Sequence, residues 1–114
     1  MAAFTPAELS DDEALVLLAL VRLLVIADGE VTVAELAQMN DIGRQLGIAA
    51  YARAATRIEG EPVTSERAIE LARTVTRQEA RQCIFGLLVD LATADEIDYA
   101  EAVLIEELRE LWAI

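Results

Sequence analysis

Apolar positions along this chain recur at helical spacing, and one apolar run is nearly unbroken. It extends from Ala14 to Ala27, interrupted only by Arg22, and follows the acidic residues 11–13. A membrane-spanning helix needs about 20 apolar residues, so this run is too short to cross a bilayer. It predicts a helix over about 11–28, buried on most sides, at the centre of a cytoplasmic protein without membrane insertion.

Helix-start signals divide the rest of the chain. A Ser, Thr or Asp followed three residues later by Glu is typical of a capping box, whose side chains satisfy free amides of the first turn. The pattern occurs at Thr5, Ser10, Thr32 and Asp98. We expect helices over about 33–46, 48–60, 65–74 and 77–94, and a last helix from residue 98 onward. Expected inward positions are Leu36, Met39, Ile42 and Leu46 in the 33–46 helix, and Val103, Leu104, Leu108, Leu111 and Trp112 in the last.

Composition supports the same class of fold. Apolar residues make up 55% of the 114 residues and aromatic residues only 4%, with two prolines and five glycines. Few aromatic and turn residues favour helices over a β-sandwich or barrel. We therefore predict an all-α fold, a single-domain bundle of about five to seven helices over residues 1–114.

Two segments of the chain repeat each other. The first covers about 11–47 and the second about 77–113, and helices over 48–75 link them. The repeats are predicted to be pseudo-symmetric, acidic helix–loop–helix units. The second lacks a counterpart of Gly29. Matched positions are Leu24 with Leu91, Asp28 with Asp95, Glu35 with Glu101, Ile42 with Leu108 and Leu46 with Trp112.

Charge is strong and unevenly distributed. The net charge is −12, from 21 acidic residues against nine arginines, with no lysine or histidine. Each repeat is acidic, whereas residues 44–81 carry seven arginines against five acids. This balance argues against nucleic acid as a partner, because phosphate binding depends on clustered basic residues. The absence of histidine removes the usual general base and nitrogen ligand, which points away from an enzyme.

Two isolated residues each have a simple interpretation. Arg22, the one charge in its apolar run, either extends along its stem to the surface or pairs with an acid such as Asp90 or a loop carboxylate. Cys83 lies in an apolar stretch, so we interpret it as a small buried hydrophobe rather than a nucleophile.

The acidic loops between paired helices are the main candidate site. Asp28 and Glu30 follow the first long helix, and Asp95 repeats the arrangement. Acids near the negative end of a helix dipole need compensation, and a bound cation is one source of it. Oxygen ligands suit calcium, magnesium or manganese. The candidate ligands are Asp28, Glu35, Asp95 and Glu101, with Glu30 and Asp98 as weaker members.

Helix capping explains several of these acids without a metal. Glu35 and Glu101 both occupy the third position of a capping box, and Thr32 and Asp98 occupy the cap itself. The spacing also departs from an EF-hand loop, because Met39 stands where that loop needs a bidentate Glu. Metal binding and helix capping therefore both stay open as interpretations of the acidic loops.

The string Ala27–Glu35 after a long apolar helix, with a degenerate copy near the C-terminus, resembles the TerB-like family of bacterial tellurite-resistance proteins. The resemblance covers nearly the whole chain, and its most specific part is Asp28-Gly29 with Glu35 seven residues after the Asp. It implies an all-helical domain with internal pseudo-symmetry, acidic residues suspected of binding a divalent metal, and a role in stress response. The family acids fall on Asp28, Glu35, Asp95 and Glu101.

Two functions are consistent with these sequence features. The first is a non-enzymatic stress-response module that binds a divalent cation through its acidic loops. The second is a metal-free interaction or scaffold domain that presents an acidic and an arginine-bearing surface to a protein partner. A homodimer is a variant of the second, with the alanine-rich segment 48–60 packing against its copy.

Overall fold

A computed structural model describes residues 4–28, 32–62, 64–93 and 99–114, with only the backbone described for 26–28. Across these ranges the fold is all-α, as predicted, and contains six helices after a single 3-10 turn at Pro6–Glu8. The helices are α1 Asp11–Asp28, α2 Val33–Leu46, α3 Ile48–Ile58, α4 Ser65–Arg73, α5 Gln78–Thr93 and α6 Tyr99–Trp112.

Helix α1 forms the centre of the bundle. It contacts all five other helices, and every residue from Ala14 to Val21 is buried. This confirms the prediction of a central helix from its nearly continuous apolar sequence, because such a helix needs neighbours on most sides. No helix in the described ranges is long and apolar enough to span a membrane.

Side-chain caps fix where several helices begin. Ser10 Oγ accepts a hydrogen bond from the Glu13 amide at 3.1 Å, and Thr64 Oγ1 accepts one from the Arg67 amide at the same distance. Gly47 separates α2 from α3 with a φ of +97°, a conformation that residues with a Cβ rarely adopt. These local signals account for the agreement between predicted and observed helix starts.

Two predicted inward positions are wrong. Leu36 is 51% exposed in the first turn of α2, and Val103 is 37% exposed in α6. Both obey the helical period, but a period marks a stripe without specifying which part of it a neighbouring helix covers. The remaining predicted inward residues of these two helices are buried or partly buried: Met39, Ile42, Leu46, Leu104, Leu108, Leu111 and Trp112.

Positions matched between the two sequence repeats share their burial at several places. Leu24 and Leu91 are both buried, as are Glu35 and Glu101, Ile42 and Leu108, and Leu46 and Trp112. Trp112 also makes a specific contact, in which its Nε1 donates a hydrogen bond to the Ala72 carbonyl at 3.0 Å. The pseudo-symmetry itself stays a prediction.

Candidate metal centre

The first acidic loop joins the C-terminus of α1 to the N-terminus of α2. Asp28 is the last residue of α1, and Glu35 is the third residue of α2. The Asp28 side chain and all of Glu30 lie outside the described residues, so Glu35 is the predicted ligand whose geometry is defined in this loop.

Glu35 is buried, with 3% of its surface exposed. Its Oε1 accepts from the Thr32 amide at 3.4 Å, and Thr32 Oγ1 accepts from the Glu35 amide at 3.1 Å. This is the predicted capping box. Its other oxygen, Oε2, is fully buried and has no hydrogen-bond partner among the described residues. Capping therefore explains one carboxylate oxygen of Glu35 and leaves the other unexplained.

The second acidic loop lies between α5 and α6. Its predicted ligands Asp95 and Asp98 lie outside the described residues. Glu101 is the third residue of α6 and is 3% exposed, the same value as Glu35. The two glutamates thus occupy the same position in their helices and are equally buried.

The described residues do not on their own form a complete metal site. Within residues 4–28, 32–62, 64–93 and 99–114, no group of three or more Cys, Asp or Glu side chains is arranged to hold an ion. Glu35 contributes one buried oxygen that has no partner within the described ranges, and a carboxylate oxygen is the donor type that calcium, magnesium and manganese take. A full ligand set would need side chains from 28 and 30 as well.

A third buried glutamate, Glu13, gives a contrast within the same molecule. Glu13 is 7% exposed and forms a capping box with Ser10, whose amide donates to Glu13 Oε1 at 2.8 Å. Arg77 then binds both carboxylate oxygens, with Nε donating to Oε2 at 2.9 Å and Nη2 donating to Oε1. The hydrogen bonds from Arg77 hold the pKa of Glu13 below its ordinary value of 4.5, although burial opposes the shift.

The sequence identified the Ser10–Glu13 capping box but missed Arg77 as its partner. The two charged residues are 64 positions apart in the chain. Arg77 also lies over the Phe4 ring, with its guanidinium carbon 5.2 Å from the ring centroid. No local pattern marks such a pair, because it depends on how α5 packs against the start of α1.

Two central arginines are paired within the fold instead of forming a free basic surface. Arg53 contacts Asp11 at 3.1 Å, and Arg57 contacts Asp12 at 3.0 Å, which ties α3 to the first turn of α1. All four side chains are at least 46% exposed, so each pair contributes little stability. Their effect is to neutralise part of the predicted arginine-bearing surface.

Arg22 and Cys83 have different surroundings from those considered in the sequence. Arg22 Nη1 donates to the Ile58 carbonyl at 2.6 Å, and Arg22 forms no ion pair with Asp90 or any other acid in the described part of the chain. Cys83 is half-buried rather than fully buried. Burial raises the pKa of its thiol, and Glu13 and Glu8 raise it further, which disfavours the nucleophilic thiolate.

Comparison with known proteins identifies no relative of this chain. No family model, curated protein or solved structure matches the chain. The TerB-like resemblance therefore stays a prediction from the sequence, and the function is inferred below from the geometry of the described residues.

Proposed function

We propose that the chain is a non-enzymatic, cytoplasmic stress-response module of the tellurite-resistance type that binds a divalent cation through its first acidic interhelix loop. One observation carries the cation-binding part of this proposal, and the stress-response part rests on the TerB-like resemblance of the sequence. Glu35 Oε2 is fully buried without a hydrogen-bond partner among the described residues. A buried carboxylate oxygen without a partner costs free energy, and a bound cation would offset that cost.

The proposed ligand set centres on Glu35. Asp28 and Glu30 are the nearest acids in sequence on the other side of the loop, and they complete the set in this proposal. Calcium, magnesium or manganese would supply positive charge beside the C-terminus of α1, where acidic residues are otherwise unfavourable. In the second loop the corresponding candidate residues are Glu101, Asp95 and Asp98, and the proposal does not require a second cation there.

Thermal unfolding with and without metal tests this proposal. Protein stripped with chelator is melted alone and then with calcium, magnesium, manganese or zinc, the last as a cation that prefers nitrogen and sulfur ligands. Binding to the folded state at a hundredfold excess over Kd stabilises by about 2.7 kcal/mol, which corresponds to a rise in Tm of roughly 10 °C. We expect that rise with an oxygen-preferring cation.

Matched glutamine variants locate the site. Glu35→Gln should abolish the cation-dependent rise, whereas Glu13→Gln, the same change at the other buried capping glutamate, should keep it from a lower starting Tm. Glu101→Gln reports whether the second loop binds as well. A rise that persists in Glu35→Gln would contradict the assignment, and a series with no rise for any cation would contradict the function.

A metal-free interaction domain is the second candidate, and exposed apolar side chains favour it. Val33 and Ile48 are each 87% exposed. Met39, Gly43, Ile48 and Tyr51 line a shallow groove of about 180 Å³ between α2 and α3, which we call the α2–α3 groove. Such a surface on a small, highly charged protein is typical of a contact site.

Sedimentation over a range of protein concentrations tests the homodimer variant of this second function. Self-association through the α2–α3 groove predicts a dimer that Ile48→Glu converts to monomer without loss of fold, since Ile48 is almost fully exposed. Ala49→Glu, one position further along α3 and also exposed, is the matched control. A monomer at every concentration would remove the homodimer.

A further inference from the structure

A second cavity, partly open to solvent, lies between α1, α2 and α3. Its volume is about 190 Å³, and its walls are almost entirely apolar. Six of the lining residues show how the three helices enclose it: Leu18 and Val25 of α1, Met39 and Ile42 of α2, and Tyr51 and Ala55 of α3. Because it lies between packed helices and is mostly apolar, it has the usual character of a small-molecule site.

Arg22 is the one charged side chain among the described residues that line this cavity. Its Nη1 donates to the carbonyl of Ile58, the last residue of α3, where a cation also interacts favourably with the helix dipole. A guanidinium has five N–H donors, and this is the one hydrogen bond it makes to the described residues. The helix contact therefore uses only part of the donor capacity of Arg22.

The charge of Arg22, like those of Arg73 and Arg81, is not balanced by an ion pair among the described residues. Six of the nine arginines form ion pairs with carboxylates in the described ranges, although Arg22 does not. It is nevertheless partly buried on an apolar helix, where an unpaired charge is costly. An anion brought to the cavity by an apolar group would offset that cost.

We propose that the cavity binds a medium-chain aliphatic monocarboxylic acid, with the alkyl chain between α1, α2 and α3 and the carboxylate on Arg22. Guanidinium and carboxylate match in charge and in planar geometry, and their hydrogen bonds are among the stronger ones in proteins. The apolar walls supply the free energy for the chain. None of the described residues that line the cavity is a candidate ligand of the proposed metal centre.

Cavity size sets the chain length. An engineered apolar cavity of about 150 Å³ accepts benzene, so a cavity of 190 Å³ has room for roughly seven carbon atoms. The α2–α3 groove shares Met39 and Tyr51 with this cavity, which gives a longer chain a path outward. Octanoate should therefore fill the cavity, and hexanoate should bind more weakly because it buries less apolar surface.

The ligand is a free acid rather than a bilayer lipid. A net charge of −12 with no lysine opposes binding to an anionic membrane surface. The same net charge repels a dissolved carboxylate at long range, so binding is best measured at 0.15 M salt, where the Debye length is about 8 Å.

Titration with sodium octanoate and with 1-octanol tests the proposal, with isothermal calorimetry and NMR shift changes as readouts. We expect one octanoate per chain. Arg22→Met should weaken octanoate binding by roughly tenfold to a hundredfold, because it removes hydrogen bonds to a charged group. It should leave the affinity for octanol, which lacks the carboxylate, within about twofold.

A second variant tests the cavity without changing any charge. Ala55→Leu places extra volume in the cavity from a helix that accepts both residues well, and should weaken octanoate and octanol alike. Arg53→Met removes an arginine of the same helix outside the cavity and should change neither affinity. Failure of wild-type protein to bind octanoate, equal octanoate affinity in Arg22→Met, or unchanged affinity in Ala55→Leu would each overturn the proposal.

Discussion

Glu13 and Glu35 are both buried glutamates at the third position of a capping box, but only one has a charged partner among the described residues. Arg77 binds both carboxylate oxygens of Glu13. Glu35 has the same relation to Thr32 that Glu13 has to Ser10, but its Oε2 contacts no donor in the described part of the chain. The comparison shows that helix capping uses one carboxylate oxygen of each glutamate and does not account for the other.

Helix initiation requires one oxygen of each glutamate. In the capping box the glutamate uses one oxygen, which accepts from the amide of the cap residue, so its second oxygen needs a partner of its own when the side chain is buried. At Glu13 the fold supplies that partner in Arg77. At Glu35 no described residue supplies a partner for the second oxygen, and this is the reason to look for a ligand in the acidic loop.

The largest expected effect comes from removing the partner of Glu13. Arg77→Met leaves a buried carboxylate without its countercharge, and although the Arg77 side chain is itself 46% exposed, we expect the substitution to lower the free energy of unfolding by more than the loss of an exposed ion pair does. Urea denaturation at pH 7 measures this loss. Arg53→Met, which breaks an exposed pair with Asp11, is the control and should cost less than about 1 kcal/mol. Equal losses of unfolding free energy in the two variants would show that the Glu13–Arg77 pair contributes no more to stability than the exposed Asp11–Arg53 pair.

The next effect is on acid stability. The pKa of Glu13 is lowered in the folded chain, chiefly by the Arg77 hydrogen bonds, so the folded state binds fewer protons there than the unfolded state. Its contribution is therefore complete above the unfolded pKa, near 4.5, and is lost as pH falls through the lower folded value.

Glu13→Gln should remove this acid-dependent part. Unfolding free energies measured from pH 7 to pH 2 should start about 2 kcal/mol lower in the variant and converge on the wild type as the pH falls through the lowered folded pKa of Glu13. Glu61 and Glu106, whose pKa values are lowered by Arg67 and Arg109, titrate in both proteins and cancel in the difference. Parallel curves would show that Glu13 does not carry the acid dependence.

Local signals were sufficient to predict most of the fold. Ser10, Thr32 and Thr64 mark helix starts that the structure confirms, because a cap acts within one turn of its own helix. The same locality explains the errors at Leu36 and Val103. Each lies on a stripe with the correct period, but the neighbouring helices determine which residues of that stripe are covered.

Less of the candidate site than of the fold could be predicted from the sequence. The acids of the loops and the capping role of Glu35 were visible as patterns. The unpartnered Oε2, the Glu13–Arg77 pair and the cavity beside Arg22 were not, because each depends on the packing of residues far apart in the chain. Arg22 did carry a signal, as a single charge in an apolar run, but neither interpretation from the sequence, a side chain extended to the surface or an acidic partner, included the Ile58 carbonyl.

The smallest expected effect is the most informative about Glu35. In the absence of metal, Glu35→Gln keeps an oxygen for the Thr32 amide and removes a buried charge that has no countercharge among the described residues. The glutamine also buries an N–H₂ group, which offsets part of that gain. We expect the free energy of unfolding to change by less than about 1 kcal/mol, against a loss of about 2 kcal/mol for Glu13→Gln. Urea denaturation in chelator compares the two variants directly. A loss at Glu35 as large as that at Glu13 would mean that its second oxygen is already satisfied in the metal-free fold, so that a cation would no longer be needed to satisfy it.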